Sequence, residues 1–208
     1  MSIPLFHNRP VTLLGAALAC FALVACKPSG EQAADSAGSD TMAAAMAPAA
    51  DTAAPAKPND AQIAHIAVTA NSIDSAAGVL AKSKAQSKAV KDFAQTMITD
   101  HTQVNKQAVA LATKLGVTPE DNDVSQQLQS GAQTSQANLN TKSGADFDSA
   151  YIDHEVAFHQ AVLDALDSTL IPNAQNAELK GLLTKVRPAI AAHLDRAKGI
   201  QKTLTSGS

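Results

Sequence analysis

From Asn59 onward the chain places apolar residues at three- and four-residue steps, the mark of amphipathic helices, and nowhere alternates as a strand would. A first helix is predicted over about 60–85, with Asn59 or Asp60 as its cap after Pro58 and a stripe of Ile63, Ile66, Ala70, Ile73, Ala77 and Leu80. A second spans about 87–115 and is stopped by Gly116 and Pro119. Its stripe is Val90, Ala94, Met97, His101, Val104, Ala108, Leu111 and Leu115. Residues 121–142, rich in Gln, Ser and Asn, make a weaker helix around Val124, Leu128 and Leu139. Another strong helix covers about 146–170, with Phe147, Tyr151, Phe158, Val162 and Leu166 inward, before Pro172 and Asn173. The last runs over about 175–204 through Leu179, Leu182, Val186, Ile190, His193, Ala197, Ile200 and Leu204. Pro188 lies inside it and is expected to remove one backbone bond and bend the helix. Four long helices with a weaker one after the second predict an all-α domain over 59–205. The arrangement expected is a ferritin-like four-helix bundle whose crossover segment contains the extra helix; a five-helix up-and-down array is the alternative.

The residues before this domain read differently. Arg9 precedes an apolar run from Val11 to Val24, too short to span a bilayer comfortably and suited to a secretion signal over 1–25. The run ends in Leu23-Val24-Ala25-Cys26, which looks like a bacterial lipobox with Cys26 as the lipid-attachment site. Cys20 closes a rival box, Ala17-Leu18-Ala19-Cys20, after a much shorter apolar run. Lys27, rather than Asp, follows Cys26, so an outer-membrane lipoprotein facing the periplasm is expected. Residues 26–58 then form an Ala- and Pro-rich tether that cannot bury enough surface to order itself. The membrane is thus an expected partner through the lipid, without a transmembrane span.

Composition narrows the chemistry. Aromatic residues make up only 3% of the chain and Trp is absent, so the core must be aliphatic and rich in Ala. A net charge of −3 does not suggest a nucleic-acid partner. Two Cys exclude a disulfide scaffold and a multi-Cys zinc site. There is no Cys-x-x-Cys-His haem motif and no Gly-rich nucleotide loop after a strand.

Histidine is the informative residue. His65, His101, His154, His159 and His193 all fall in predicted helices, and His101 and His193 occupy stripe positions where an aliphatic residue belongs. With the turn before the last helix centred near residue 172, His154 lies about 5 Å and Glu155 about 6 Å in height from His193, Tyr151 is level with it, and His159 is about 12 Å away. Asp74 and His101 differ by about 7 to 8 Å across the first turn. These heights favour a layer of Tyr151, His154, Glu155 and His193, with Asp74 and His101 as further partners. Imidazole with carboxylate inside a bundle suits iron, manganese, zinc or copper. The Glu-x-x-His pairs of ferritin-like dimetal sites are absent; the chain offers Glu155-x-x-x-His159 and the contiguous Asp100-His101 instead. A hydrogen-bonded polar layer without metal is the plainer expectation.

Phe93-Ala94 with Met97 and Asp100-His101, then Phe147-Asp148-Ser149-Ala150-Tyr151 with His159, then Pro188 with His193, together resemble a bacterial family of exported ferritin-like proteins. It is catalogued as domain of unknown function forty-one forty-two, and the resemblance covers roughly residues 60–204. It implies a ferritin-like bundle in the cell envelope with no established activity. The family pattern contains Asp100, His101, Tyr151, His159 and His193, with an acid commonly at the place of Asp74, whereas His154 is particular to this chain or its close relatives. Arg187 stands where relatives usually carry Leu. Two functions are consistent with this: a lipid-anchored, non-catalytic binding or envelope-stress protein, and a metal-binding or metal-dependent redox protein. A protein partner or a homo-oligomer fits either.

Overall fold

The computed structural model describes residues 57–206, so the predicted signal sequence, Cys26 and nearly all of the tether lie outside the described residues. The helices are α1 (Asp60–Lys84), α2 (Lys88–Leu115), α3 (Asp123–Asn140) and α4 (Gly144–Ala165), then a π-helical turn (Leu166–Leu170), the short α5 (Ile171–Asn173) and α6 (Ala177–Ser206). No strand occurs among the described residues. Asn59 is the cap of α1: its side-chain oxygen accepts from Gln62 N at 2.9 Å while the Gln62 side chain accepts from Asn59 N at 3.1 Å, a reciprocal capping box. Gly116 ends α2 at φ 64°, a left-handed conformation that favours glycine. α6 runs unbroken in assignment through the exposed Pro188.

Cross-chain bonds fix the topology. Glu120 N donates to Ala61 O at 3.1 Å, so α2 ends and α3 begins beside the start of α1. At the other end Lys84 Nζ donates to Leu139 O at 3.0 Å and to Asn140 O at 2.9 Å, so α3 travels back the length of the bundle. The Asp148 carboxylate on α4 accepts from Ser87 N at 2.7 Å and Gln86 N at 3.0 Å, starting α4 at the α1–α2 turn. Asp60 accepts from Gln175 N at 2.8 Å and Asn176 N at 2.9 Å, which brings the α5–α6 connection back to the start of α1. The four long helices therefore form two antiparallel hairpins, α1–α2 and α4–α6, joined by α3 as a crossover lying on α1 and α4. The expected all-α bundle with a helical crossover is the observed one.

The core has two apolar halves. One, at the α1–α2 turn, gathers Val90, Phe93, Met97, Phe147, Tyr151 and Ile152; the other gathers Ile63, Ile66, Leu166, Leu170, Leu183 and Ile190. A polar layer of Asp74, His101, Glu155, His159 and His193 is also buried. On α1 the buried face departs from the predicted stripe: beyond Ile66 it runs through Asn71, Asp74, Gly78 and Ala81, while Ile73, Ala77 and Leu80 are half-buried. The cause is close helix approach. A Cβ on Gly78 would stand 3.0 Å from both Ala94 O and Ile98 Cγ1, so α2 packs directly against the backbone there and turns the polar residues of α1 inward.

Candidate metal centre

Three imidazoles from three helices meet in the polar layer. The ring centroids of His101 (α2), His159 (α4) and His193 (α6) form a nearly equilateral triangle, with separations of 5.6 Å for 101–159, 5.3 Å for 101–193 and 5.5 Å for 159–193. One ligand atom from each lies within 4.8 Å of the others, and the same holds for Asp74, Glu155 and His159. The five side chains are between 0% and 7% exposed.

Each ring has one nitrogen committed to an outer partner. His101 Nδ1 lies 2.8 Å from Asn71 Oδ1, and Asn71 Nδ2 donates to Ala67 O at 2.7 Å. That second bond orients the amide with its oxygen toward the ring, so His101 Nδ1 carries the proton and Nε2 keeps a lone pair. His159 Nδ1 donates to the Glu155 carbonyl at 2.9 Å, which leaves its Nε2 unprotonated as well. His193 Nε2 donates to the half-exposed Asp100 carboxylate at 3.0 Å and leaves Nδ1 free. The three remaining nitrogens, His101 Nε2, His159 Nε2 and His193 Nδ1, are buried and have no hydrogen-bond partner.

The carboxylates are in the same state. Asp74 Oδ2 stands 3.2 Å from His101 Nε2 and 3.3 Å from His159 Nε2, so two lone pairs and one carboxylate oxygen converge. Asp74 and Tyr151 both lie within hydrogen-bonding reach of the Glu155 carboxyl, but at angles too poor to satisfy the buried oxygens of any of the three. A proton on Asp74 Oδ2 could serve only one of its two facing nitrogens. Two ligand atoms on one tetrahedral ion with bonds of about 2.0–2.1 Å stand about 3.3 Å apart, close to the separations of Asp74 Oδ2 from the His101 and His159 nitrogens.

Electrostatics agree with a set of neutral nitrogen ligands and reluctant acids. Burial, with smaller contributions from His159 and His193, lowers the His101 pKa to about 3. Burial likewise lowers His159 to about 4. Both rings are therefore neutral near pH 7, as a metal ligand must be. Burial raises Asp74 to about 7, and burial together with the Asp74 charge raises Glu155 well above the usual carboxylate range. Tyr151 is also pushed up, first by burial and then by the Glu155 and Asp74 charges, so it remains a phenol.

Of the residues expected from sequence, His101 and His193 come together with His159, and Asp74 and Glu155 form a second group with the same His159; Tyr151 borders Glu155 and Asp100 orients His193 from outside. His154 does not join them. It is half-buried, tilted against Phe158 at 5.7 Å between ring centroids, and faces the flank near Ile73, Gln127 and Gly131 of α1 and α3. The height estimate that preferred His154 to His159 is therefore corrected. The π turn and α5 prolong the α4 rod to Asn173, so the connection centres near Gln175 rather than residue 172. Recentred there, His159 and His193 differ by about 3 Å in height. The Asp74–His101 offset was also overestimated, because the first turn centres on Gln86 and the Asp74 side chain spans the remainder. Asn71 was missed. It shares a face with Asp74 at three-residue spacing, but apolar periodicity gives no reason to look for an inward amide.

The structure is thus an all-α bundle whose buried polar layer holds two groups of possible ligands, His101–His159–His193 and Asp74–Glu155–His159, which share His159. The chain belongs to the family described as Domain of unknown function (DUF4142), whose sequence model matches residues 44–200. No curated protein and no solved structure matches it.

Proposed function

We propose that this domain holds one transition-metal ion on His101, His159 and His193, whose inner nitrogens approach one another within 4.8 Å, with the Asp74 carboxylate beside the first two. The observation that carries this reading is the common arrangement of the rings: each is tied on its outer side, to Asn71, the Glu155 carbonyl or Asp100, and each directs an unsatisfied nitrogen inward. Outer partners of this kind fix the tautomer and orientation of metal-bound histidines. Ionising Asp74 and Glu155, buried beside His101 and His159 that burial holds neutral, would be costly without a cation to face them. The donor set, imidazole with carboxylate and no thiolate among these residues, suits iron, zinc, copper or manganese over calcium or magnesium.

The envelope location is part of the same proposal. The lipobox ending in Cys26, followed by Lys27 and an Ala- and Pro-rich stretch, supports a bundle tethered to the outer membrane and facing the periplasm. There it would bind metal in a binding or stress-protective role. Elemental analysis of protein purified without a histidine tag tests the centre. About one equivalent of metal is expected, lost in His101→Ala and in His193→Ala. Wild-type protein that stays metal-free after titration with iron, zinc, copper and manganese would refute it. Fractionation tests the anchor: Cys26→Ala should move the protein from the membrane to the soluble fraction.

A further inference from the structure

Tyr151, the one tyrosine of the chain, directs its hydroxyl to the Glu155 carboxyl. Tyr151, Glu155 and His159 follow one another at four-residue steps on α4 and so share a face. Asp74 meets that face from α1. The Tyr151 side chain is wholly buried, its ring parallel to Phe147 and edge-on to Phe93, each with 6.3 Å between centroids. Apolar rings thus hold the phenol in place and leave its oxygen in the polar layer.

A buried tyrosine hydroxyl ordinarily has a hydrogen-bond partner. Here the Tyr151 oxygen and both oxygens of Asp74 and of Glu155 are buried and unsatisfied, five oxygens in one place. Phenylalanine would fill the same space between Phe93 and Phe147 without that cost. Charge then selects what the oxygens suit. Asp74, Glu155 and the phenol each become anionic on losing one proton, so together they balance a trivalent cation and leave the buried group without net charge. A bound cation displaces the proton of a group that ligates it, which frees the phenolate. Oxygen donors suit a hard ion, and a tyrosine oxygen is a known ligand of iron.

We propose that Asp74, Glu155 and Tyr151 form a separate position for ferric iron, with the Tyr151 phenolate as a direct ligand. The protons still on the three groups leave to solvent as the ion enters. His159 is the neighbour common to this position and to the three imidazoles, whereas His101 and His193 belong to the latter alone. The proposal goes beyond the imidazole reading, because it stands on oxygen donors and takes an ion of different charge.

The test uses the full chain carrying Cys26→Ala, so that the protein is handled without detergent. Titration with ferric nitrilotriacetate should raise a visible phenolate-to-iron charge-transfer band that saturates at one equivalent, with tyrosinate ring modes enhanced in resonance Raman spectra excited within it. With one tyrosine in the chain, such a band can come only from Tyr151. Tyr151→Phe removes one oxygen and keeps the ring. It should abolish the band and weaken ferric binding by at least the roughly tenfold that loss of an outer partner costs, while its circular dichroism melt stays cooperative. Should that variant not fold, the wild-type Raman spectrum decides alone. His193→Ala should keep the band, so failure of the three-imidazole reading would leave this one standing. Zinc bound by the imidazoles with no ferric band would overturn this one alone. Iron bound without the band, a band that survives in folded Tyr151→Phe, or a band lost from folded His193→Ala would also overturn the proposal.

Discussion

The Asn71 amide oxygen lies 2.8 Å from His101 Nδ1, and this one contact determines which nitrogen of a buried ring faces the centre. Asn71→Leu removes the acceptor while roughly keeping the volume. Metal affinity is expected to fall by about 10- to 100-fold, the usual effect of losing an outer-shell partner. Competition against a chelator measures it, and a circular dichroism melt verifies that the helices persist.

Metal affinity should rise with pH as Asp74 gives up its proton. Its pKa of about 7 lies above those of His101, about 3, and His159, about 4. The rings therefore compete little above pH 5, whereas the acid competes up to neutrality. Titrations from pH 5 to 8 should show tightening through pH 7, and Asp74→Asn should flatten that rise at lower affinity.

In metal-free protein the same acid should depress stability as pH rises. Its folded pKa, about 7, exceeds the ordinary 3.8, so between those values the folded state holds more protons. Stability then falls with increasing pH across that window. His101 and His159 act oppositely below pH 6.5, since their folded pKa values are lowered and unfolding takes up protons. The comparison of Asp74→Asn with wild type isolates the acid: the variant should gain relative stability from pH 4 to 7, by roughly a few kcal/mol at neutrality. Urea melts at several pH values in chelator test this.

Gly78→Ala should destabilise the bundle by about 1–3 kcal/mol. The new Cβ would meet Ala94 O and Ile98 Cγ1 at 3.0 Å and force α1 from α2. Asp74 and His101 face each other across that same helix pair, so metal affinity should drop with stability. Thermal melts and metal titration should move together.

Asp148→Ala should cost about 1 kcal/mol, because it leaves the Gln86 and Ser87 N–H groups without their acceptor at a helix start that is only partly buried. Metal stoichiometry should remain unchanged, which separates this structural acid from Asp74 and Glu155.

The helices were legible because periodicity, caps and stops agreed: Asn59, Gly116 and the Ser143-Gly144 break all fall at observed boundaries. The crossover was legible in the polar composition of α3, which needs to bury only one side. His101 and His193 showed themselves as imidazoles on apolar stripes. His159 was placed at the wrong height because the π turn lengthened a connection that a straight count made shorter. Asn71 and the inward rotation of α1 were hidden because Gly78 acts through what it lacks, and a pattern of apolar side chains does not register an absent one.

The five-residue π turn from Leu166 to Leu170 also sets the register in which the chain leaves α4. Deleting a single residue there would restore ordinary winding but re-index α6 against α4 by about 100° of rotation and 1.5 Å of travel. His193 would then swing away from its two companions. The length of this stretch therefore helps set where the third imidazole sits.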